Sequence, residues 1–334
     1  MKNWHETREV FAHIHANPDV VFALATVIGI EGSTYRRPGA KLLIPGDGPL
    51  CGNVSGGCLE EEIAVVGCEV IRDGSHRLLH YDTSMDEDTL WGLGLGCDGK
   101  VDVFVQAIHG KSSAVEDITK HIRHNRAFSI HTVVRGPDAG QQVVRLCNGD
   151  ETPGGMVEHH LFCDVLRPPP LLVVCGAGDD AIPLVNMASQ VGFRVMVMDH
   201  RRAYGTMERF PSAERVQVCD PLAWNPESAG IPFPSTLVVI MTHTLRYDEA
   251  WLKLWGRLPV LYLGLLGPKG RREELIKHIE SSAQNRLYGP VGLDLGGEGA
   301  EQVALSVVAE ALAVWHGRAG GHLRDRQTAI HANE

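Results

Sequence analysis

Two hydrophobic patterns divide the chain, and they change at Pro168-Pro169-Pro170. Before the prolines, Val20–Ile30 reads VVFALATVIGI, a β-branched apolar run of strand length that predicts the first core strand. A short helix is predicted ahead of it over Glu6–Ala16, and further strands over Lys41–Ile44, Leu50–Val54, Arg77–Tyr81, Val101–Ile108, Phe128–Val134, Gln142–Leu146 and His160–Val165. Helices are predicted over Leu59–Gly74, whose acidic first turn suits the positive end of the helix dipole, and over Ala114–Arg126. Strands that follow one another without a helix between them make this half an α+β domain with several hairpins.

After the prolines strands and helices interleave. Strands are predicted over Leu171–Cys175, Arg194–Asp199, Arg215–Val218, Thr236–Met241 and Val260–Leu263, and helices over Asp180–Val191, Asp248–Trp255, Arg271–Ser281 and Glu301–His316. Fully apolar strands in βαβ succession predict a parallel sheet covered on both faces, a Rossmann-type doubly wound fold. Consecutive prolines continue neither helix nor ladder, so the domains are expected to be residues 1–167 and 168–334.

Composition agrees with two globular domains: 334 residues, 44% hydrophobic and 22% charged. No apolar run reaches membrane-spanning length and the start is unlike a signal peptide, so a cytoplasmic location is expected. A formal charge of −10 argues against a nucleic-acid partner. The eight cysteines form no CxxC pair and read mostly as reduced small hydrophobes, and no histidine spacing predicts a zinc site.

The strongest chemical signal is LLVVCGAGDDA followed by RVMVMD. Gly176, Ala177, Gly178 and Ala181 set out a GxGxxA turn between a strand and a helix, and Asp199 ends the next strand. In that context the helix start is expected to receive a pyrophosphate and Asp199 to accept from ribose hydroxyls. The acids Asp179 and Asp180 suit the helix dipole yet stand where a phosphate would lie. His243 and Asp248, after the strand at Thr236–Met241, are expected to face the crevice, and Gly267 and Lys269 to form a second phosphate turn.

In the first half, GSTYRRPGAK and CGNVSGGCLE give two glycine-rich loops. Arg36, Arg37, Lys41, Ser55, Gly56 and Gly57 are candidates for an anion cradle, with ordinary turns and solvated arginines as the alternative. Cys58, at a helix start that lowers a thiol's pKa, is the candidate reactive or metal-contacting sulfur, with Cys97 second.

Together these motifs resemble the XdhC/CoxI family, accessory proteins for xanthine dehydrogenase and related molybdenum hydroxylases. The resemblance runs from GSTYRRPGAKLLI and GNVSGGCLE through GAGDDA, VMVMDHR, THTLRYD and YLGLLGPKGRR to GPVGLDLGGEGAEQVALSVVAEALA. It implies a chaperone that binds the molybdenum cofactor, protects it during sulfuration with the help of a cysteine desulfurase, and delivers it to an apo-hydroxylase. Ser55, Gly56, Gly57 and Cys58 fall in the family's characteristic loop, while Asp179 replaces a family histidine and Pro268 a family serine. Molybdopterin's phosphate, or the pyrophosphate and ribose of its dinucleotide form, is what a Rossmann crevice recognises, and a cleft between the domains is its expected seat. The second half alone also reads as an NAD(P)-dependent oxidoreductase, and a ligand-free adaptor is a third reading. A homodimer is expected as the commonest assembly.

Overall fold

The apolar run after Val20 is buried on both faces, which is why it lacks the alternation of a half-exposed strand. In the computed structural model, which describes residues 1–32, 34–82, 99–147, 157–158, 160–226 and 230–327, it forms β1 (Val21–Gly32). The chain divides into two units, Met1–Pro168 and Pro169–Glu334.

In the first unit α1 (Lys2–Ala16) precedes β1, followed by β2 (Lys41–Ile44), β3 (Cys51–Gly52), α2 (Glu60–Asp73), β4 (His76–Asp82), β5 (Gly99–His109) and α3 (Ser113–Arg123). The strands make an antiparallel sheet in the order β3-β2-β1-β5-β4. Phe22 and Leu24 of β1 pack with Phe11 and Ile14 of α1 and Ile118 of α3, while Ala23 and Ala25 pack with Ile63 and Val70 of α2. Gly67 permits the close seating of α2, because a Cβ there would lie 2.6 Å from Ile44. A smaller antiparallel sheet follows, ordered β7-β6-β9-β8, from β6 (Phe128–Val133), β7 (Gln142–Leu146), β8 (Val157–Glu158) and β9 (Leu161–Leu166). The expected strand Leu50–Val54 shrinks to Cys51–Gly52 because the chain bends at Gly52, where φ is 87°.

The second unit contains β10 (Leu171–Cys175), α4 (Ala181–Gln190), β11 (Arg194–Asp199), β12 (Arg215–Val218), β13 (Thr236–Ile240), α5 (Leu245–Gly256), β14 (Tyr262–Leu265), α6 (Lys269–Leu275), α7 (Ser281–Gln284), β15 (Leu287–Tyr288) and α8 (Ala300–Trp315). All six strands run parallel in the order β12-β11-β10-β13-β14-β15. Counted within the unit this is three-two-one-four-five-six, the dinucleotide-binding order, so the expected Rossmann-type fold is present. Leu172 and Val174 of β10 pack under α4 and α8; Val173 and Cys175 face Trp251 and Trp255 of α5. Helix α6 is shorter than its pattern, giving way after Leu275 to a 3-10 turn, and the two-residue β15 is too short to show periodicity.

No helix among the described residues is long and apolar enough to cross a membrane.

Candidate functional site

The strand order of the second unit reverses between β10 and β13, and the connections leave to opposite faces there, opening a crevice at the carboxyl ends. Gly176 makes this geometry possible. Its φ is 126°, and a Cβ would lie 2.4 Å from the Met241 carbonyl oxygen, so the turn presses directly on the end of β13. Beyond it the backbone N–H groups of Gly178, Asp179 and Asp180 meet no acceptor among the described residues, and α4 starts without a side-chain cap. Consecutive open N–H groups at a helix start form a seat for an anion. Ala181 is fully buried and brings α4 close to the sheet.

Both acids in this loop have side-chain partners. Asp179 pairs with Arg209 at 2.8 Å, whose guanidinium also donates to the Ala177 carbonyl, and Asp180 pairs with His243 at 2.7 Å. The Arg209 charge offsets the repulsion that Asp179 would exert on a phosphate. Arg209 and Arg201 both lie against the Tyr204 ring, at 5.0 and 4.0 Å from its centroid. Neither cation was singled out in the sequence. Arg201 stands two residues after Asp199 and was open to notice, whereas Arg209 reaches the loop across 30 residues and leaves no local pattern.

Asp199 differs from its expected role. Only 3% exposed, it accepts from the Ala177 N–H at 2.7 Å and from the N–H and guanidinium of Arg201. Burial by itself would raise its pKa, but the Arg201 and Ala177 hydrogen bonds outweigh that and lower it. With its oxygens so engaged, the carboxylate braces the glycine loop instead of waiting for ribose hydroxyls.

Asp248 also departs from expectation. It is completely buried, accepts from the N–H and hydroxyl of Thr242, and pairs with Arg271. It ties the end of β13 to α6 and does not face the crevice. His243 does lie at the crevice, more than half exposed, with a left-handed backbone at φ 58°. Gly267 turns the chain after β14 at φ 137°, and Lys269 is exposed at the start of α6.

Beside the first turn of α4 lies a cavity of about 220 Å³. Its walls are Leu184, Val239, Met241, Leu266 and residues of the first turns of α8, and among the described residues Asp180 is its one charged lining residue.

In the first unit the expected anion cradle is corrected. Arg36 is buried in a two-point ion pair with Glu6, and Lys41 is buried against Asp164 and the Gly39 carbonyl. These cations hold the fold together, because a buried charge is tolerated only with its partner. Arg37 is exposed without an ion pair among the described residues.

The loop before α2 is likewise satisfied from within. The Ser55 hydroxyl accepts from the N–H groups of Gly57, Cys58 and Leu59 at 3.1, 3.2 and 3.2 Å, and donates to Glu60. Glu60 in turn accepts from the Val54 and Ser55 N–H groups. Burial opposes ionisation of Glu60, yet these bonds bring its pKa below the ordinary value. Cys58 is half-buried on this turn. Gly56 lies under the ring of Tyr35, 3.7 Å from its would-be Cβ, and that ring is 66% exposed. The Lys2 ammonium lies over the same ring, 5.6 Å from its centroid. Cys97 lies outside the described residues.

No cluster of three or more metal-ligating side chains is assembled among the described residues.

Comparison with known proteins places these features. The model of the XdhC Rossmann domain matches residues 172–311, and that of the XdhC and CoxI family residues 17–82. The chain is 32% identical over 312 residues to a probable xanthine dehydrogenase subunit of Bacillus subtilis, spanning 86% of this chain and 92% of that one. It is 22% identical over 330 residues to the molybdenum cofactor insertion chaperone PaoD of Escherichia coli, spanning 94% and 93%. A crystal structure of a xanthine dehydrogenase from Bacillus halodurans matches with a TM-score of 0.77 at 26% identity, covering 96% of this chain and 98% of that one. With its Rossmann unit, its first-unit glycine loop and a relative of this identity along almost its whole length, the chain belongs to the XdhC and CoxI family.

Proposed function

We propose that this protein binds the molybdenum cofactor, shelters it during sulfuration and delivers it to the apo form of a molybdenum hydroxylase. The observation that supports this most directly is the row of open N–H groups at Gly178, Asp179 and Asp180, beside a cavity of about 220 Å³. The residues present fit a phosphate-bearing cofactor: the N–H groups and the nearby Arg209 would hold its phosphate, and Asp199 would keep the loop in shape. The resemblance to a chaperone that inserts this cofactor agrees. Once bound, the cofactor supplies the molybdenum chemistry that the client enzyme uses, and this chain's residues position and protect it. In the first unit we assign a sulfur or metal contact to Cys58. A cysteine desulfurase and a second copy of the chain are the further partners of this reading.

The NAD(P)-dependent alternative has less support. It requires a free acid for the ribose, and Asp199 is engaged by Arg201.

The test mixes the protein with isolated molybdenum cofactor, desalts it, and measures pterin fluorescence after oxidation. Retained fluorescence that Arg209→Gln reduces is the expected result. An absence of retained pterin overturns the proposal, and hydride transfer from a nicotinamide to a small carbonyl compound supports the alternative.

A further inference from the structure

The two faces of the Rossmann sheet are finished differently. On one, α5 turns Arg246 and Lys253 to solvent, as a helix that meets water does. On the other lie α4 and α8, which share one apolar cluster through Leu184, Ala188, Ala304 and Val308. From Ala181 to Phe193 there is no charged residue, and from Gln302 to Trp315 only Glu310, in a chain of which 22% is charged. Glu310 is itself engaged, accepting from the Tyr262 hydroxyl and the Gly292 N–H.

This layer keeps apolar side chains at its surface. Leu305 on α8 is 53% exposed and Val191, at the end of α4, 40%, while Met187 and Leu312 are only partly buried. The exposed polar positions, Gln190 and Gln302, are neutral. Apolar surface from which Lys, Glu and Asp are depleted is the composition of an interface core.

The occupant follows from charge. The chain carries a formal −10, so two copies repel one another over most of their surfaces, and least where the facing residues carry no charge. In a two-fold contact the same patch serves both copies, and an unbalanced charge on it faces its own sign across the axis. A layer free of charge meets that requirement. A partner of opposite charge would instead be drawn by ion pairs, for which Ala181–Phe193 and Gln302–Trp315 offer only the engaged Glu310. We infer that the outer side of α4 and α8 is the contact between two copies of this chain, related by a two-fold axis, with Leu305 and Val191 packed across it. The inference rests on the proposed function only for its second copy, and does not depend on what the glycine loop binds.

Light scattering of the full chain after size exclusion is expected to give twice the 36.4 kDa of one chain. In sedimentation equilibrium, Leu305→Glu is expected to raise the dimer dissociation constant at least tenfold, and Val191→Glu gives a second route to the same loss if the first variant folds poorly. Val65→Glu, at a 62% exposed position on α2, is expected to leave it within twofold. Raising sodium chloride from about 0.05 to about 0.5 M should preserve or strengthen the wild-type dimer, because salt screens the mutual repulsion and a contact without ion pairs has none to lose. A monomeric wild-type chain, an unchanged dissociation constant in both folded variants, a loss in Val65→Glu equal to theirs, or dissociation by salt overturns the inference. Retention of isolated molybdenum cofactor is read on the same wild-type preparation. A monomer that retains the cofactor sinks the contact and leaves the cofactor reading standing; a dimer that retains none, and that Leu305→Glu dissociates, does the reverse.

Discussion

The His243 imidazole lies 2.7 Å from the Asp180 carboxylate, joining the turn after β13 to the turn after β10. His243 holds this position with a left-handed backbone, φ 58°, a region that asparagine and glycine enter at low cost and β-branched residues avoid. His243→Val is therefore expected to lose about 1–2 kcal/mol of stability, and His243→Gly to stay within about 0.5 kcal/mol of the wild type. Urea denaturation of the two variants checks this, and equal losses would show that the backbone conformation is not what matters.

Gly176 and Gly57 both have positive φ but differ in surroundings. A Cβ at Gly176 would meet the Met241 carbonyl at 2.4 Å, whereas nothing lies within 4 Å of one at Gly57. Gly57→Ala is expected to cost about 1–2 kcal/mol for its backbone alone. Gly176→Ala should cost well beyond that and displace the end of β13, which a comparison of their thermal midpoints would show.

Asp248 has no exposure and serves both Thr242 and Arg271. Asp248→Asn keeps the shape but leaves the Arg271 charge without its counter-ion, at an expected cost of about 3 kcal/mol. Adding Arg271→Met should recover part of that loss, and a double-mutant cycle measures the coupling. Strict additivity would mean that the pair does not act as a unit.

The acid limb of the stability curve follows from Asp199. Its pKa is lowered on folding from an ordinary value of 3.8, so its contribution is present in full above that value and disappears as pH falls through the lower folded value. Glu60 adds a contribution of the same sign, starting from an ordinary 4.5. Stability is expected to decline below about pH 4, less steeply in Asp199→Asn. Parallel acid limbs in the two proteins would remove Asp199 as a cause.

Thiol chemistry should separate the cysteines. Cys175 is fully buried and burial pushes its thiol well above the ordinary value; Cys219 is pushed up to about 11, mainly by burial. Iodoacetamide at neutral pH, read by peptide mapping, is expected to modify the half-buried Cys58 before either of them. Labelling of Cys175 ahead of Cys58 would contradict the packing described for β10.

The architecture was largely legible because both halves obey patterns that act over short stretches. The apolar runs of β10, β11 and β13 and the glycine spacing after Cys175 depend on neighbours a few residues away, and they marked the Rossmann unit correctly. Side-chain roles that depend on distant partners were not legible. Lys41 and Arg36 looked like anion-binding groups until Asp164 and Glu6 closed on them, and Asp248 looked exposed until Arg271 arrived from α6. Tyr35 is visible in the sequence, but only the fold shows that its ring is seated on Gly56 with Lys2 over it. Helix ends and two-residue strands such as β15 carry too little pattern to be placed by periodicity.

The Ser55 hydroxyl sits where three backbone amides converge, so the turn before Cys58 already contains a neutral stand-in for an oxyanion. Removing that single oxygen, as in Ser55→Gly, exposes the amides without altering any charge. The Glu60 carboxylate that accepts from that hydroxyl borders the same spot, so the neutral oxygen completes a structural knot that no negatively charged guest could replace without meeting a like charge.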